Sequence, residues 1–374
     1  MNAGVLAYCG AAAGVAGNAP GSLPGMGMDG FPFPPSDAAS RQDAAFLRVS
    51  LSPVTGDPAY GALRHPPDEP EVQNLDYIER HDTFTIYYDV FWSVEGERII
   101  ALGPPMSQPV RKSLRVLAWP DMAPCEATIR QHGGLMHAGY VVTTIRPPDP
   151  ATCSALVIEV MGQRYVTPIQ PGVGPYMAGA RVMLIKNLNN ELIWIRDCVE
   201  FHAREFGFNA VVLYDNRSDR YSPGEVERVL CRTPGITRVA VVDLQAMYGP
   251  VYTARGDHCS RAAHLQRAIT FHGIRRMAPL ADLVMHSDID ELLVAEQPSR
   301  FRALLEDPAI AQLIVGGRTI LASARPGAPL RHREYARQEM PPGRRAGKWI
   351  ARPHLVPEEA VPVIHRINRC PSVD

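Results

Sequence analysis

Asp288 and Asp290, with Ile289 between them and Glu291 after, form a carboxylate cluster of a kind that handles cations. They follow an apolar run, 281–286, that reads as a buried strand. Alternation along an extended chain puts both aspartates on one face and turns Ile289 into the core. At about 3.3 Å per residue their Cα atoms lie roughly 6.6 Å apart. Oxygens opposed across Mg²⁺ or Mn²⁺ are only about 4.2 Å apart, so the two carboxylates must play different parts. One binds the ion; the other holds a water ligand or a ribose hydroxyl. A hard cation with open positions there can bridge nucleotide phosphates and stabilise the charge that builds on a departing diphosphate.

Three further groups carry related chemistry. Asp215-Asn216-Arg217-Ser218-Asp219 ends the apolar run 210–214 just before a helix start at Ser222-Pro223-Gly224-Glu225. Short polar side chains there suit a base edge or a ribose, or simply a turn. Lys186-Asn187 ends the run 181–185, and Lys186 is one of only three lysines among 38 basic residues. Between 331 and 352 stand Arg331, Arg333, Arg337, Arg344, Arg345, Lys348 and Arg352, with Gly343 and Gly347 among them. That stretch reads as a mobile basic lid able to close on a diphosphate, with His365 beyond it as an imidazole donor. His258, Cys259, His264 and His272 match no zinc spacing, nor do Cys125, His132 and His137.

The elements that must position these groups divide the chain. Residues 1–43 are rich in Gly and Pro, carry no basic residue before Arg41, and read as a disordered tail. From 44 to 171, short strands near 83–91, 114–119, 139–145 and 155–160 alternate with turns, predicting a small β-sandwich-like accessory domain. The glycine-rich 172–179 reads as a linker. From 180 to 374, strands near 181–185, 210–214, 238–243 and 281–286 alternate with helices at 191–206, after 222, and at 258–277. Such alternation predicts an α/β domain on a mostly parallel sheet, which binds ligands beyond the carboxyl ends of its strands.

Composition narrows the function classes. With 38 basic and 39 acidic residues the net charge is −1, giving no overall pull toward nucleic acid. Seven scattered cysteines without a C-x-x-C pair fit a reducing compartment, and no apolar run approaches the roughly 20 residues of a membrane span. A cytoplasmic protein is expected, with peripheral membrane association left open. The high ratio of arginine to lysine points to a GC-rich bacterial genome.

The ordered set Ile185-Lys186-Asn187, Tyr214-Asp215-Asn216-Arg217-Ser218, Asp288-Ile289-Asp290-Glu291 and Lys348-Trp349-Ile350-Ala351-Arg352-Pro353, followed by His365, resembles the GT-A glycosyltransferases of the family 92 and family 2-like group. Trp194-Ile195-Arg196-Asp197 with Glu200-Phe201-His202 also looks like that group's first helix. The resemblance covers about half the chain. It implies a Rossmann-like GT-A domain, a nucleotide-sugar donor (a UDP-hexose), a glycan or polysaccharide acceptor, and Mn²⁺ or Mg²⁺. Carried over, Lys186, Asn187, Asp215, Asn216 and Ser218 would line the nucleotide pocket, with Asp288 on ribose or a metal-bound water. Asp290 would hold the metal, His365 the metal or the diphosphate, and Lys348 and Arg352 the diphosphate. Leu188 stands where the group has a glutamate. Inverting transfer needs a general base, for which Glu291, Glu334 and Glu339 are candidates. Two other readings compete: an inactive scaffold or carbohydrate-binding protein, and a nucleotidyltransferase using the same acidic pair on a nucleoside triphosphate.

Overall fold

Strands whose side chains are buried on both faces, joined through amphipathic helices, build a seven-stranded sheet. Its strands are β1 (Ala45–Val49), β2 (Arg181–Asn187), β3 (Ala210–Asp215), β4 (Arg238–Asp243), β5 (Leu283–Ser287), β6 (Gln312–Gly317) and β7 (Arg345–Ala351). The order is β6-β7-β5-β2-β3-β4-β1, all parallel except β7, which runs against both neighbours. The computed structural model describes residues 5–6, 8–9, 43–66, 68–133, 139–250, 254–256, 264–317, 319–322, 332, 335–338 and 345–373.

Helices α1 (Leu192–Phe206), α2 (Pro223–Cys231), α3 (His264–His272) and α4 (Pro298–Glu306) accompany this sheet. Helix α1 stops at Gly207, whose φ of 70° is the left-handed conformation that glycine adopts without strain. At the start of α2 the Glu225 carboxylate accepts from the Ser222 amide and hydroxyl, as the Ser-Pro-Gly-Glu pattern predicts. From β2 the chain steps to β3 and β4 on one side, then crosses to β5 on the other. The order therefore reverses between β2 and β5, and the crevice beyond their carboxyl ends is where such sheets bind ligands.

The β-rich region forms two four-stranded antiparallel sheets, one from Asp89–Trp92, Ile99–Gly103, Glu126–His132 and Tyr140–Arg146, the other from Arg115–Trp119, Ala123–Pro124, Ala155–Val160 and Gln163–Pro168. Val90, Ile99, Val116, Val141, Leu156 and Ile158 share one apolar cluster, so the sandwich-like expectation describes this half well.

Its separation from the rest is where the structure departs from the sequence reading. Strand β1 precedes the β-rich region in the chain yet forms the edge of the parallel sheet beside β4. Phe91, Leu102 and Tyr140 share a core with Val182, Val212 and Trp349. The glycine-rich 172–179 contains the short helix Gly174–Met177, not an open linker, and Met177 is fully buried. Asp89 ties the halves together: it is 1% exposed and accepts from Arg276 Nη1 (2.6 Å), His272 Nε2 (2.9 Å) and the Ser52 amide (2.8 Å). Burial lowers the His272 pKa. The neutral ring donates from Nε2 to Asp89 and accepts at Nδ1 from the Tyr214 hydroxyl, 2.9 Å away.

Two further expectations change. The helix expected over 258–277 runs from His264 to His272 and continues as a wider turn, Gly273–Met277; 258–263 lie outside the described residues, as does most of the tail. Of the expected lid, Arg331, Arg333, Arg344, Gly343 and Glu339 lie outside the described residues, whereas 345–351 is strand β7, with Trp349 and Ile350 in the core. No helix among the described residues is long and apolar enough to cross a membrane.

Four buried histidines set a pH dependence. Burial is the main cause in each case and pushes His81 and His202 down to about 4, and His264 and His286 down to about 3. Their folded pKa values lie below the ordinary 6.5, so as pH falls below about 6.5 the unfolded chain takes up protons that the folded chain refuses. Stability is then lost at up to ~1.4 kcal/mol per pH unit for each histidine. Asp290, raised to about 6, and Glu291, raised to about 7, act in the opposite sense over part of the same window. With these four, and His272 lowered in the same sense, against two carboxyl groups, urea midpoints are expected to fall steadily from about pH 6.5 to about pH 5. A flat profile there refutes the assignment.

Candidate functional site

The carboxyl ends of β2, β3 and β5 bring most of the singled-out residues together. Beyond β5 the chain does not stay extended: the Glu291 amide bonds to the Asp288 carbonyl at 3.1 Å, closing a turn over Asp288–Glu291. Ile289 is buried as expected, at 2% exposure, but the aspartates are placed by a turn and not by strand alternation. The turn is anchored from below. His202, fully buried on α1, donates from Nδ1 to the Cys198 carbonyl (2.8 Å) and accepts at Nε2 from the Leu293 amide (3.0 Å). The neutral state imposed by burial is the one this arrangement requires.

Lys348 reaches the same turn from β7. Its ammonium lies 2.6 Å from Asp288 Oδ2 and 3.2 Å from Glu291 Oε2, and Glu291 also accepts from the Asp288 amide at 2.9 Å. Burial works to raise the Asp288 pKa, but Lys348, with His286 and Lys186, more than reverses this and keeps the carboxyl ionised well below its ordinary range. Asp290 has no basic partner among the described residues; burial and the neighbouring Asp288 push it up to about 6. Glu291 is only 4% exposed and is consumed by Asp288 and Lys348, so it positions the turn and does not face an acceptor. Of the other general-base candidates, Glu334 and Glu339 lie outside the described residues.

Across the crevice, Lys186 Nζ donates to the Tyr248 hydroxyl (2.9 Å) and sits 4.1 Å from that ring's centroid; Tyr248 in turn donates to Gln266 of α3 (2.6 Å). Asn187 is fully buried. Its amide donates to Asp215 Oδ1 (2.7 Å), Tyr221 (2.8 Å) and Ser218 (3.2 Å), and its carbonyl accepts from Asn190. Ser218 donates to Asp215 Oδ1 at 2.6 Å. Asn187 and Ser218 are thus spent in shaping the turn, while Asp215 Oδ2 keeps no partner among the described residues.

Two expected site residues are spent on other contacts. The Asn216 amide donates to the carbonyls of Leu244 and Ala246, both at 2.9 Å, tying together the loops that follow β3 and β4. Arg352 sits at the other end of the sheet, because Ala351 beside it pairs with Val284 near the start of β5. Its guanidinium donates to the carbonyls of Leu305 (2.6 Å), Asp307 (3.1 Å) and Asp282 (3.4 Å), a brace between α4 and the sheet that cannot reach a diphosphate.

His365 is exposed, and its Nδ1 donates to the Gly347 carbonyl at 2.8 Å, one residue before Lys348. Partial desolvation and the Lys348 charge lower its pKa, which leaves Nε2 as a neutral donor atom. Among the described residues, no three His, Cys, Asp or Glu side chains gather into a group that could hold a metal ion by themselves.

Tyr248, Tyr221 and His202 were not singled out for roles of their own. Tyr248 and Tyr221 lie in irregular segments, where no periodicity distinguishes one tyrosine from another. His202 is legible as part of the Glu200-Phe201-His202 run of the first helix, but nothing in that run shows that its ring anchors the turn after β5.

No family model matches this chain, and no curated protein does. Among solved structures it is similar to the apo structure of WbbM, a bifunctional glycosyltransferase, at 16% identity and a TM-score of 0.30. That likeness covers 50% of this chain and 34% of the other, so this chain spans about a third of its length.

Proposed function

We propose that the chain is a glycosyltransferase that moves a hexosyl group from a nucleotide-sugar, a UDP-sugar first of all, to a hydroxyl of a glycan or polysaccharide. The observation carrying this reading is the meeting of Lys186, Lys348, Asp288 and Asp290 at the point where the strand order reverses. Two ammonium groups can receive a diphosphate, and carboxylates beside them can orient ribose hydroxyls. Asp215 Oδ2, at the end of β3, is available to a base or ribose donor. Tyr248 holds the Lys186 ammonium in place, and Glu291 does so for Lys348, so little ordering remains for the moment of binding.

The carboxylates suit a hard divalent ion in donor type. Asp290, which makes no ion pair among the described residues, would hold Mn²⁺ or Mg²⁺, with His365 Nε2 as a further donor. Such ions use one or two protein carboxylates and take their other ligands from substrate phosphates and water. Bound there, the ion supplies neutralisation of charge on the departing diphosphate.

Calorimetric titration of UDP in Mn²⁺ and then in EDTA, with the wild type and Asp290→Ala, tests the reading. Binding is expected to weaken about tenfold or more in EDTA and in the variant. Product analysis with UDP-sugars then separates sugar transfer from nucleotidyl transfer, which releases pyrophosphate. Failure of UDP, GDP and other nucleotides to bind refutes the transferase and leaves the scaffold reading.

A further inference from the structure

Where the β-rich half packs on the end of α3, a cavity of about 290 Å³ opens against the face of the sheet that carries Ile100, Thr144, Val142 and Arg130. Strand register puts these side chains on one face: Leu102, Val142 and Arg130 form one cross-strand row, and Ile100 and Thr144 belong to the next. Phe271 and Arg275, one turn apart, make the opposite wall, and Glu358, Glu359 and Arg369 close the cavity from the C-terminal segment. The donor crevice lies toward the other end of α3. Gln266, which holds Tyr248 there, stands about nine positions before Arg275, roughly 13 Å along the helix.

Charge in this cavity is divided between two ends. At one, Arg98 is answered by Glu358 (2.6 Å) and Glu95 (3.7 Å), and the Arg275 guanidinium donates to the carbonyls of Val356 and Pro357. Glu359 makes no ion pair or hydrogen bond among the described residues, so three carboxylates face two guanidinium groups there. At the other end Arg130 and Arg369 stand near His132, and neither makes an ion pair or hydrogen bond among the described residues. Desolvation lowers the His132 pKa, and Arg369 and then Arg130 lower it further. The ends belong to different parts of the sheet. Arg130 is on the edge strand Glu126–His132, and Arg98 leads into Ile99–Gly103, two strands and about 10 Å away.

The cavity therefore suits a ligand with one negative charge at one end and hydrogen-bond donors at the other. A phosphate monoester carries about −1.5 to −2 charges and would be repelled by the three carboxylates. An α-amino acid bears both charges on one carbon and cannot span the two ends. A uronic acid meets each demand. Its carboxylate takes the guanidinium groups, its ring hydroxyls donate to Glu359, and its C–H face lies on Phe271 and Val142. We infer that this cavity binds an acidic sugar of the uronic acid kind, at a site apart from the donor crevice and independent of the transferase reading. Its volume is near the lower end of ordinary ligand sites, roughly 300–1,000 Å³, which suits a single ring.

Saturation-transfer NMR on the full chain tests the inference, with the methyl glycosides of glucuronic acid, galacturonic acid and glucose, and glucose-6-phosphate, as titrated probes. At least one uronate is expected to receive saturation and to bind about tenfold or more tighter than the methyl glucoside and the sugar phosphate. Arg130→Gln and Arg369→Gln are each expected to weaken it about five- to tenfold. Urea midpoints are expected to stay unchanged, because both side chains are exposed and unpaired. UDP affinity by calorimetry is expected to be the same in wild type and variants. Silence from both uronates, equal binding of the methyl glucoside, or tighter binding of the sugar phosphate overturns the assignment, whatever UDP does. A uronate response unaltered in both variants, or a fall of UDP affinity in either, overturns it as well. Uronate binding that both variants weaken, with no UDP binding at all, supports this site and refutes only the transferase.

Discussion

Replacing Lys348 with methionine is expected to remove donor binding and to destabilise the fold. The ammonium is the one cation within 4 Å of Asp288 and Glu291 among the described residues. Without it, two carboxylates face each other in a low-dielectric turn, and breaking a buried ion pair by removing one partner costs about 3–5 kcal/mol. Glu291, already raised to about 7, then takes a proton and limits the loss. Donor affinity is expected to fall about 100-fold or more, the scale of removing one strong charge-assisted contact to a phosphate. The double variant Lys348→Met/Glu291→Gln separates the effects: its urea midpoint should recover most of the loss, and its UDP affinity should not. Recovery of both would show that Lys348 supports the turn and does not touch the donor.

Asp89→Ala is the second large effect, and it lies far from the crevice. The substitution strands the Arg276 guanidinium, 2% exposed, and leaves His272 without the acceptor that fixes its ring. A loss of about 3–5 kcal/mol is expected, against a smaller loss for Asp89→Asn, which keeps an acceptor oxygen. Urea unfolding measures both. Because Asp89 belongs to the β-rich half and Arg276 to the region after α3, a change below about 1 kcal/mol would show that this junction contributes little to cohesion.

Local pattern carried much of the fold. Ala-Val-Val-Leu-Tyr and Arg-Val-Ala-Val-Val-Asp read as buried strands because both faces of a parallel sheet are covered, and the Ser222 capping box marks its helix through short-range bonds. What local pattern could not show is which strand joins which sheet. Strand β1, Ala-Phe-Leu-Arg-Val, has a half-exposed pattern that suits an accessory strand equally well, and its partner is set by distant packing. Likewise the basic composition of 331–352 suggests a lid, although Trp349 and Ile350 within it are both buried, one in the core on each face of the sheet. At the site, residue type located Lys186, Asp215, Asp288 and Asp290 on one rim, and it was the strand β7 that brought Lys348 to them. Residue type could not separate side chains that face a ligand from those, such as Asn187 and Asn216, whose hydrogen bonds are already taken within the protein. Arg352 shows the same limit: only the antiparallel direction of β7 sends it to the far end of the sheet.

The pairing of Ala45 with Arg238 joins neighbours in one sheet that lie 193 positions apart in the chain. During synthesis β1 therefore emerges early, and at about 5–20 residues per second its partner follows only roughly 10–40 seconds later. Throughout that interval a strand edge stays unpaired while the whole β-rich half is made and can fold first. The central sheet is thus a late product of translation, completed around an already formed module, and β1 is the segment through which an interrupted synthesis would invite aggregation or capture by a chaperone.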